Sequence, residues 1–356
     1  MFLKRILSLL FLLNGFSGLA QQTQLTALMR QHQVPGMQVV HTRKGRTTTY
    51  HLGLRQNGTS QLVDDSTTFQ AASLGKLMLA YTALRLHDRG IFDLNKPLLS
   101  YCPYPRLTAD PRAATITARM VLTHTTGLPN WAANPLDPAW ATSPLSLRYP
   151  PDSCWNYSGE AFVWLQKTLE HVTGKSFETL AQEEVFGPLR MTRSSFVWLD
   201  AFADDAASGH DAAGKPTEIR RFAKANAGFS LLTNATDYNR FLQALLNGHG
   251  LRPPTRKRLL TPTIPANRCR IPASLTDPYI DWAYGVGLAT TSRGPAQWHW
   301  GDNGDFKGFF MTFPKRKESL LFITNSANGL QLTDDLLKLF FGPGEYRAMQ
   351  WLAEDR

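Results

Sequence analysis

Apolar and polar positions divide the chain into strand-like segments near its two ends and helical segments between them. Residues 37–51, MQVVHTRKGRTTTYH, have the composition of two β-strands around RKGR, which predicts a hairpin with Gly45 in the turn. From Ser73 to Leu86, apolar residues recur at helical spacing, and Gly90 follows as the expected C′ residue. We therefore predict an early hairpin and then a buried helix whose first turn contains Ser73.

The middle of the chain, about residues 91–205, has helical patterns separated by Pro-rich and Asn-rich loops, and one helix is predicted to start near Gly159. The last third returns to the strand-like segments YGVGLATTS, QWHWG, GFFMTFP and SLLFITN, with PKRKE as the last turn and a helix from about Thr333 to Phe341. We therefore expect an α/β (α+β) fold. Strands from both ends meet in one antiparallel sheet flanked by helices, and a mainly helical lobe is inserted between them. A cleft between sheet and lobe is then the natural place for a site.

The first twenty residues have the pattern of a secretory signal peptide. Lys4 and Arg5 precede the apolar stretch of residues 6–13, and small residues lead to Ala20, after which we expect cleavage. The apolar stretch is too short to span a bilayer as a stable helix, although an uncleaved anchor is the alternative. We expect an exported protein, periplasmic or secreted, whose single domain occupies residues 21–356 and has no membrane span after cleavage.

Charge and cysteine content narrow the classes of function. The net charge of +10 falls to +8 when Lys4 and Arg5 are removed, and we place the basic runs RPPTRKR and PKRK on solvated loops or turns. No nucleic-acid motif accompanies them, so we expect no nucleic-acid partner; attraction to anionic polymers of the cell envelope is an open interpretation of the charge. The cysteines, Cys102, Cys154 and Cys269, allow at most one disulfide. Since C-x-x-C, a Cys/His metal spacing and H-E-x-x-H do not occur, a metal enzyme is disfavoured. An organic cofactor is not implied either.

The stretch FQAASLGKLMLA, residues 69–80, contains the only S-x-x-K of the chain, formed by Ser73 and Lys76. Positions three apart lie nearly on one helix face, so the hydroxyl and the amine can meet. Lysine can deprotonate serine only if its pKa falls from ~10.4 toward neutrality. The spacing alone favours two ordinary helix residues, because about one chance match is expected in a chain of this length. The position of the pair, after the strand-like TTF and at the start of an apolar helix, favours a functional role. The G-x-S-x-G motif of α/β-hydrolases is absent.

Two further motifs place a polar side chain two positions before a glycine. Tyr157, in CWNYSGEAF, is predicted to lie on a polar turn. A phenol near a lysine ammonium ionises more easily and can shuttle protons. Packing of the turn by the aromatic ring is the alternative.

The second motif, QWHWGDNG, predicts a strand with His299 and Gly301 on one face. Glycine there lets a substrate approach the strand edge, and the imidazole can donate to a carboxylate or carbonyl. A core histidine is the alternative.

The order S-x-x-K, Y-x-G, H-x-G resembles that of the serine β-lactamase and penicillin-binding-protein superfamily, on the branch of class C β-lactamases, D,D-peptidases, D-aminopeptidases and related esterases. The resemblance extends over VPGMQVV, TTFQAASLGK, VLTHTTGLP, NAGFSLLTNATDYNRFLQALLNG and FITNSANG, and thus over nearly all of the mature chain. It implies an enzyme with Ser73 as acylated nucleophile, Lys76 as the group that helps deprotonate it and Tyr157 as proton shuttle. His124 and Thr126 of LTHTTGLP are expected to pack and to fix a loop.

The resemblance also implies an oxyanion hole made by the backbone N–H groups of Ser73 and Asp302. Gly159 lies where β-lactamases usually have asparagine, and His299 where many relatives have the lysine of K-T-G. Because both replaced groups recognise β-lactams, we expect a D-amino-acid peptide, including one from the cell wall, or a small ester as substrate. A β-lactamase is the alternative, and a non-catalytic protein that binds peptidoglycan or penicillin is the alternative from another class. The sequence does not indicate an oligomeric state.

Overall fold

The strands lie in two separate sheets of a computed structural model that describes residues 20–107, 109–269 and 272–354. They are β1 Gly36–Arg43, β2 Arg46–Gly53, β3 Phe69–Ala72, β4 Leu231–Thr233, β5 Ile264–Pro265, β6 Ile280–Trp282, β7 Gly287–Thr291, β8 Gly294–Asp302, β9 Lys307–Phe313 and β10 Glu318–Thr324. Eight of them form one antiparallel sheet in the order β2-β1-β10-β9-β8-β7-β6-β5. The other two, β3 and β4, pair antiparallel in a small second sheet that the sequence did not predict.

Helices cover the large sheet and form most of the regular structure between β3 and β4. They are α1 (residues 20–31), α2 Gly75–Asp88, α3 Ala118–Leu122, α4 Gly159–Thr173, α5 Phe177–Ala181, α6 Ala235–Asn247, α7 Pro253–Leu260, α8 Thr333–Phe341 and α9 Ala348–Ala353. A π-helical turn, Gln182–Phe186, continues α5. In the described residues, no strand of either sheet lies between β3 and β4, where α3, α4 and α5 are found.

The first and last strands meet in the large sheet, as predicted. Strand β1 pairs with β10, with Met37 opposite Thr324, and the β1–β2 hairpin turns at Gly45, whose φ is 81°. Both faces of the sheet are covered: Val39 packs in the apolar cluster that includes residues of α1, α8 and α9, and Val40 packs in the cluster that includes α2. This two-sided burial brings the chain ends together and leaves α2 between the sheet and the helical lobe.

Helix α2 is buried along most of its length and ends as predicted, with Gly90 at φ 74° just after the C-cap. The prediction that Ser73 lies in its first turn is wrong, because the helix begins at Gly75 and Ser73 precedes it. Between β3 and the helix, Ala72 has a φ of 50°, and the Leu74 N–H donates to the Ala71 carbonyl at 3.1 Å. A non-glycine residue in this left-handed region costs about 1 kcal/mol, so the tight turn that presents Ser73 is held by its surroundings.

The two basic runs differ in structure. Residues 314–317, PKRK, form the turn between β9 and β10, as predicted. The run RPPTRKR was predicted to be a loop or turn, which is wrong: it contains the start of α7. Its prolines occupy the first positions of the helix, where the missing N–H has no intrahelical partner in any case.

The cysteines form one disulfide, which is the maximum expected from three cysteines. Cys154 and Cys269 form a disulfide, with Cα atoms 5.2 Å apart, and Cys102 is a free thiol. In the described part of the chain no helix is long and apolar enough to cross a membrane. The predicted signal segment falls on residues 1–19, which lie outside the described residues, and on Ala20 at the start of α1.

Candidate active site

The turn between β3 and α2 brings Ser73 and Lys76 into contact. Lys76 Nζ donates to Ser73 Oγ at 2.9 Å and to the Gly228 carbonyl oxygen at 2.8 Å. Ser73 Oγ lies 3.1 Å from the same carbonyl oxygen. A single backbone carbonyl therefore orients both side chains, and the amine is within the range needed to remove a proton from the hydroxyl.

Lys76 is fully buried among aromatic rings. Its Nζ lies 4.9 Å from the ring centre of Tyr157, 5.8 Å from that of Phe162 and 5.9 Å from that of Trp131. Desolvation lowers its pKa to about 7, and no carboxylate among the described residues offsets this shift. Near neutral pH a large fraction of Lys76 is thus the free amine, which meets the condition for a base acting on serine.

The Tyr157 hydroxyl is buried beside this pair and has no hydrogen-bond partner in the described part of the chain. Burial raises its pKa above the ordinary value, and the negative charge of Asp302 acts in the same direction. The neighbouring Ser73 hydroxyl acts to lower the pKa of Tyr157, and burial outweighs this effect. Tyr157 is therefore a neutral phenol, contrary to the ionisation suggested from the sequence, because burial dominates and Lys76 carries little charge above pH 7.

His299 lies in the interior and not on the surface of the cleft where a substrate would meet it. Its Nδ1 is 2.7 Å from the Trp300 carbonyl oxygen, which can only accept, so the proton is on Nδ1 and Nε2 carries a lone pair. Burial, followed by the positive charge of Lys76, lowers its pKa to about 3. Among the described residues Nε2 has no partner, and it is the next residue, Trp300, that lines the cleft.

His124 is the second buried histidine next to Tyr157, with ring centres 4.4 Å apart. Its Nδ1 accepts the Ser158 N–H at 3.1 Å, so its proton is on Nε2. Burial, Lys76 and His299 together hold its pKa well below the usual range. The expectation of a packing role agrees with this geometry, but the contact with Tyr157 could not be read from the sequence.

Gly301 and Asp302 bring the end of β8 next to the turn that carries the nucleophile. A Cβ at position 301 would lie 2.3 Å from the Ala71 carbonyl oxygen, so only glycine allows this approach. Asp302 lines the cleft together with Ser73. Its carboxylate accepts the Gly304 N–H at 2.8 Å and forms an ion pair with Lys307, which partly neutralises it beside the site.

Ser73 and Tyr157 open onto a cleft of 540 Å³ between the helical lobe and the end of β8. Aromatic side chains contribute much of its wall: Trp131, Phe222, Phe229 and Trp300. Of the site residues predicted from the sequence, Ser73, Tyr157 and Asp302 line this cleft. The other four are not among its lining residues: Lys76, Gly159, Gly301 and His299. The cleft is also where the sequence predicted it, between sheet and lobe.

Arg220 is a cleft residue that no sequence motif indicated. Its NH1 atom lies 2.8 Å from Asp305 and donates to the Asn303 carbonyl oxygen at 3.0 Å and to Gln70 at 3.3 Å. These contacts fix the guanidinium through one nitrogen. The fork geometry of arginine leaves further N–H groups that can bind a carboxylate.

Comparison with known proteins agrees with this geometry. The profile of the family described as Beta-lactamase matches residues 22–339. The chain belongs to the beta-lactamase family. The superfamily recognised from its motifs is therefore confirmed, and with it the general class of serine hydrolase related to β-lactamases and D-alanyl carboxypeptidases.

Curated relatives of this family member are distant in sequence. Penicillin-binding protein 4 of Amycolatopsis lactamdurans is 22% identical over 342 residues, which are 90% of this chain and 88% of that protein. PbpX of Bacillus subtilis (strain 168) is 24% identical over 204 residues, 55% of this chain and 51% of PbpX. The chain thus spans about half the length of PbpX.

A solved structure confirms the predicted fold of this beta-lactamase family member. D-alanine carboxypeptidase AmpC from Burkholderia cenocepacia superposes with a TM-score of 0.74 and covers 90% of this chain and 99% of its own. At 18% identity this likeness shows the fold alone. An antiparallel sheet flanked by helices is therefore confirmed, while the substrate has to be argued from the cleft.

Proposed function

We propose that this protein is an exported serine hydrolase that cleaves amide or ester bonds through an acyl-enzyme, with D-amino-acid peptides or small esters as substrates. The observation that carries the proposal is the 2.9 Å contact between Ser73 and Lys76, whose pKa is about 7. A desolvated amine in contact with a hydroxyl serves little purpose in a protein that only binds. The export part of the proposal rests on the pattern of residues 1–20.

In the proposed acylation, neutral Lys76 takes the Ser73 proton as Oγ attacks the carbonyl carbon. The oxyanion is held by the backbone N–H groups of Ser73 and Asp302. The proton then passes through the neutral Tyr157 hydroxyl to the leaving amine or alkoxide as the bond to the leaving group breaks. Water attacks the acyl-enzyme by the same route in reverse, its proton goes to Lys76, and the free acid leaves as Ser73 regains its proton.

His299 has a different role in this proposal from the substrate contact expected of it. As a neutral, buried imidazole, His299 helps to fix the side chain of Tyr157, since the ring centres of these two residues are 6.2 Å apart. A substrate carboxylate would instead meet Arg220, which is the only lysine or arginine side chain among the described residues that line the cleft. A peptide with a free carboxyl end fits this arrangement, as the word carboxypeptidase in the name of the Burkholderia protein also suggests.

Substrate preference tests the proposal against the β-lactamase alternative. We expect kcat/KM for a D-Ala-D-Ala peptide or a short p-nitrophenyl ester to exceed that for a chromogenic cephalosporin by at least about tenfold, because neither an amide at position 159 nor a cation at position 299 is present. The Ser73→Ala variant serves as the blank for each substrate. Faster turnover of the cephalosporin than of both other classes would contradict the proposal.

A further inference from the structure

The indole of Trp131 occupies the space into which a side chain at position 159 would project. We infer that Trp131 replaces that side chain as the acyl-binding wall, so that the enzyme selects acyl groups with an aromatic or other apolar substituent next to the reacting carbonyl. This inference rests on the proposed function, because it assumes that Ser73 is acylated. It adds a residue that determines specificity and names the class of acyl group.

Two glycines make room for the indole. A Cβ on Gly159 would lie 2.3 Å from Cζ2 of Trp131 and 2.5 Å from Cη2, and a Cβ on Gly228 would lie 2.8 Å from Cη2. Neither glycine has a positive φ, so the backbone at both positions is open to other residues. It is therefore the indole, and not backbone conformation, that excludes a side chain at position 159.

The indole is also close to the reacting groups. Its ring centre is 5.9 Å from Lys76 Nζ. Gly228, where an added Cβ would meet the indole, supplies the carbonyl that orients Ser73 and Lys76. Phe229 stands edge-on to it at 5.8 Å and lines the same cleft. The apolar wall thus begins beside the nucleophile, where the substituent of a bound acyl group must lie.

Both chain neighbours of Trp131 are tied to the first turn of α4. The Asn130 side-chain oxygen accepts the Gly159 N–H and its carbonyl oxygen accepts the Glu160 N–H, each at 3.0 Å. On the other side, the Ala132 N–H donates to the Glu160 carboxylate at 2.9 Å. Glu160 is itself buried and paired with Arg106 at 2.6 Å. The loop is therefore fixed before substrate binds, as a specificity-determining wall requires.

The chemistry of this wall favours one class of acyl group. An aromatic substituent gains burial and ring contacts against the indole, which are worth about tenfold in binding. A polar substituent that was hydrogen-bonded to water meets ring carbon instead, and loses that bond without replacement. In relatives with asparagine at the position of Gly159, a side-chain amide is available to the substrate. In this chain the indole of Trp131 presents an apolar surface in place of that amide.

The test compares p-nitrophenyl phenylacetate with p-nitrophenyl methoxyacetate, which share a leaving group, each rate being divided by the rate of its hydroxide-catalysed hydrolysis. We expect the wild-type protein to favour phenylacetate in kcat/KM by about tenfold or more. Trp131→Ala should bring this ratio near one, and Trp131→Phe should preserve most of it. A ratio that is unchanged within twofold in Trp131→Ala would overturn the inference.

A second measurement keeps the inference open to refutation if Trp131→Ala folds poorly. Gly159→Ala should lower the Tm in the wild-type background, since the alanine Cβ meets the indole. Combined with Trp131→Phe or Trp131→Ala, the same change should raise the Tm or leave it unchanged, because alanine favours a helix more than glycine does. An equal loss of Tm in all backgrounds would show that the indole is not the obstacle, and would contradict the inference.

Labelling with a fluorophosphonate separates this inference from the proposed function. If Ser73 is labelled in the wild-type protein and in the Trp131 variants while the substrate ratio stays constant, the inference fails and the proposed function stands. If Ser73 is not labelled in folded wild-type protein, both fail. Labelling together with a ratio that depends on Trp131 supports both.

Discussion

Replacement of Ser73 by alanine is expected to abolish covalent labelling by serine-reactive probes and to lower kcat/KM for an ester substrate on the order of 10⁶-fold. Ser73 Oγ is the hydroxyl in contact with Lys76 Nζ, and Ser73 is the only serine among the described residues that line the cleft. Steady-state hydrolysis of a p-nitrophenyl ester at pH 8, with intact-protein mass spectrometry after probe treatment, measures both quantities.

The matched control is Ser60→Ala, because Ser60 is exposed and lies outside the cleft. This variant should be labelled and should turn over substrate as the wild-type protein does. Retention of more than a tenth of the wild-type kcat/KM in Ser73→Ala would show that another residue carries the reaction.

Lys76→Met is expected to keep the fold and to slow acylation by about 10³-fold at pH 8, because it removes the base while filling nearly the same volume. In the wild-type protein, kcat/KM should rise with pH through about 7 and then level off, since only the unprotonated amine can accept the Ser73 proton. This rise should be absent from the residual activity of the variant. Stopped-flow acylation between pH 5.5 and 9 measures this pH profile. The range extends about 1.5–2 units on each side of the Lys76 pKa.

Stability gives an independent check of the same pKa. Between pH 7 and 10.5 the unfolded chain keeps Lys76 protonated while the folded protein does not, so this residue makes the free energy of unfolding rise with pH in that window. The slope should be smaller in Lys76→Met, and its Tm near pH 7 should be no lower than that of the wild-type protein, since a buried amine has been replaced by an apolar side chain. The control for this slope is Lys257→Met, which changes an exposed lysine in α7.

A normal acylation rate in Lys76→Met would contradict the kinetic prediction, because it would show that Lys76 is not the base.

Much of the fold could be predicted because its determinants are local in sequence. β-Prone residues on both sides of Gly45 specify the hairpin, and helical spacing up to Leu86 specifies α2. The order of strand-like and helical segments then leaves few ways to cover both faces of a sheet. Even the pairing of β1 with β10 follows from this requirement.

Other features depend on contacts between distant segments, which a linear pattern does not contain. Ser73 precedes α2 because the chain turns at Ala72 against β4, and His299 is buried because aromatic side chains cover it. The motif around Gly159 showed that an asparagine is missing, but not that Trp131, from a loop 28 residues earlier, fills its place. Arg220 belongs to no motif and enters the cleft only through the fold.

The most direct test of Ser73 as the nucleophile is to react the folded protein with a fluorophosphonate at pH 8 and to locate the adduct by peptide mass spectrometry. We predict one adduct, on Ser73, that is absent from Ser73→Ala and forms far more slowly in Lys76→Met. An unmodified Ser73 in folded protein, with the probe on another residue or on none, would contradict it.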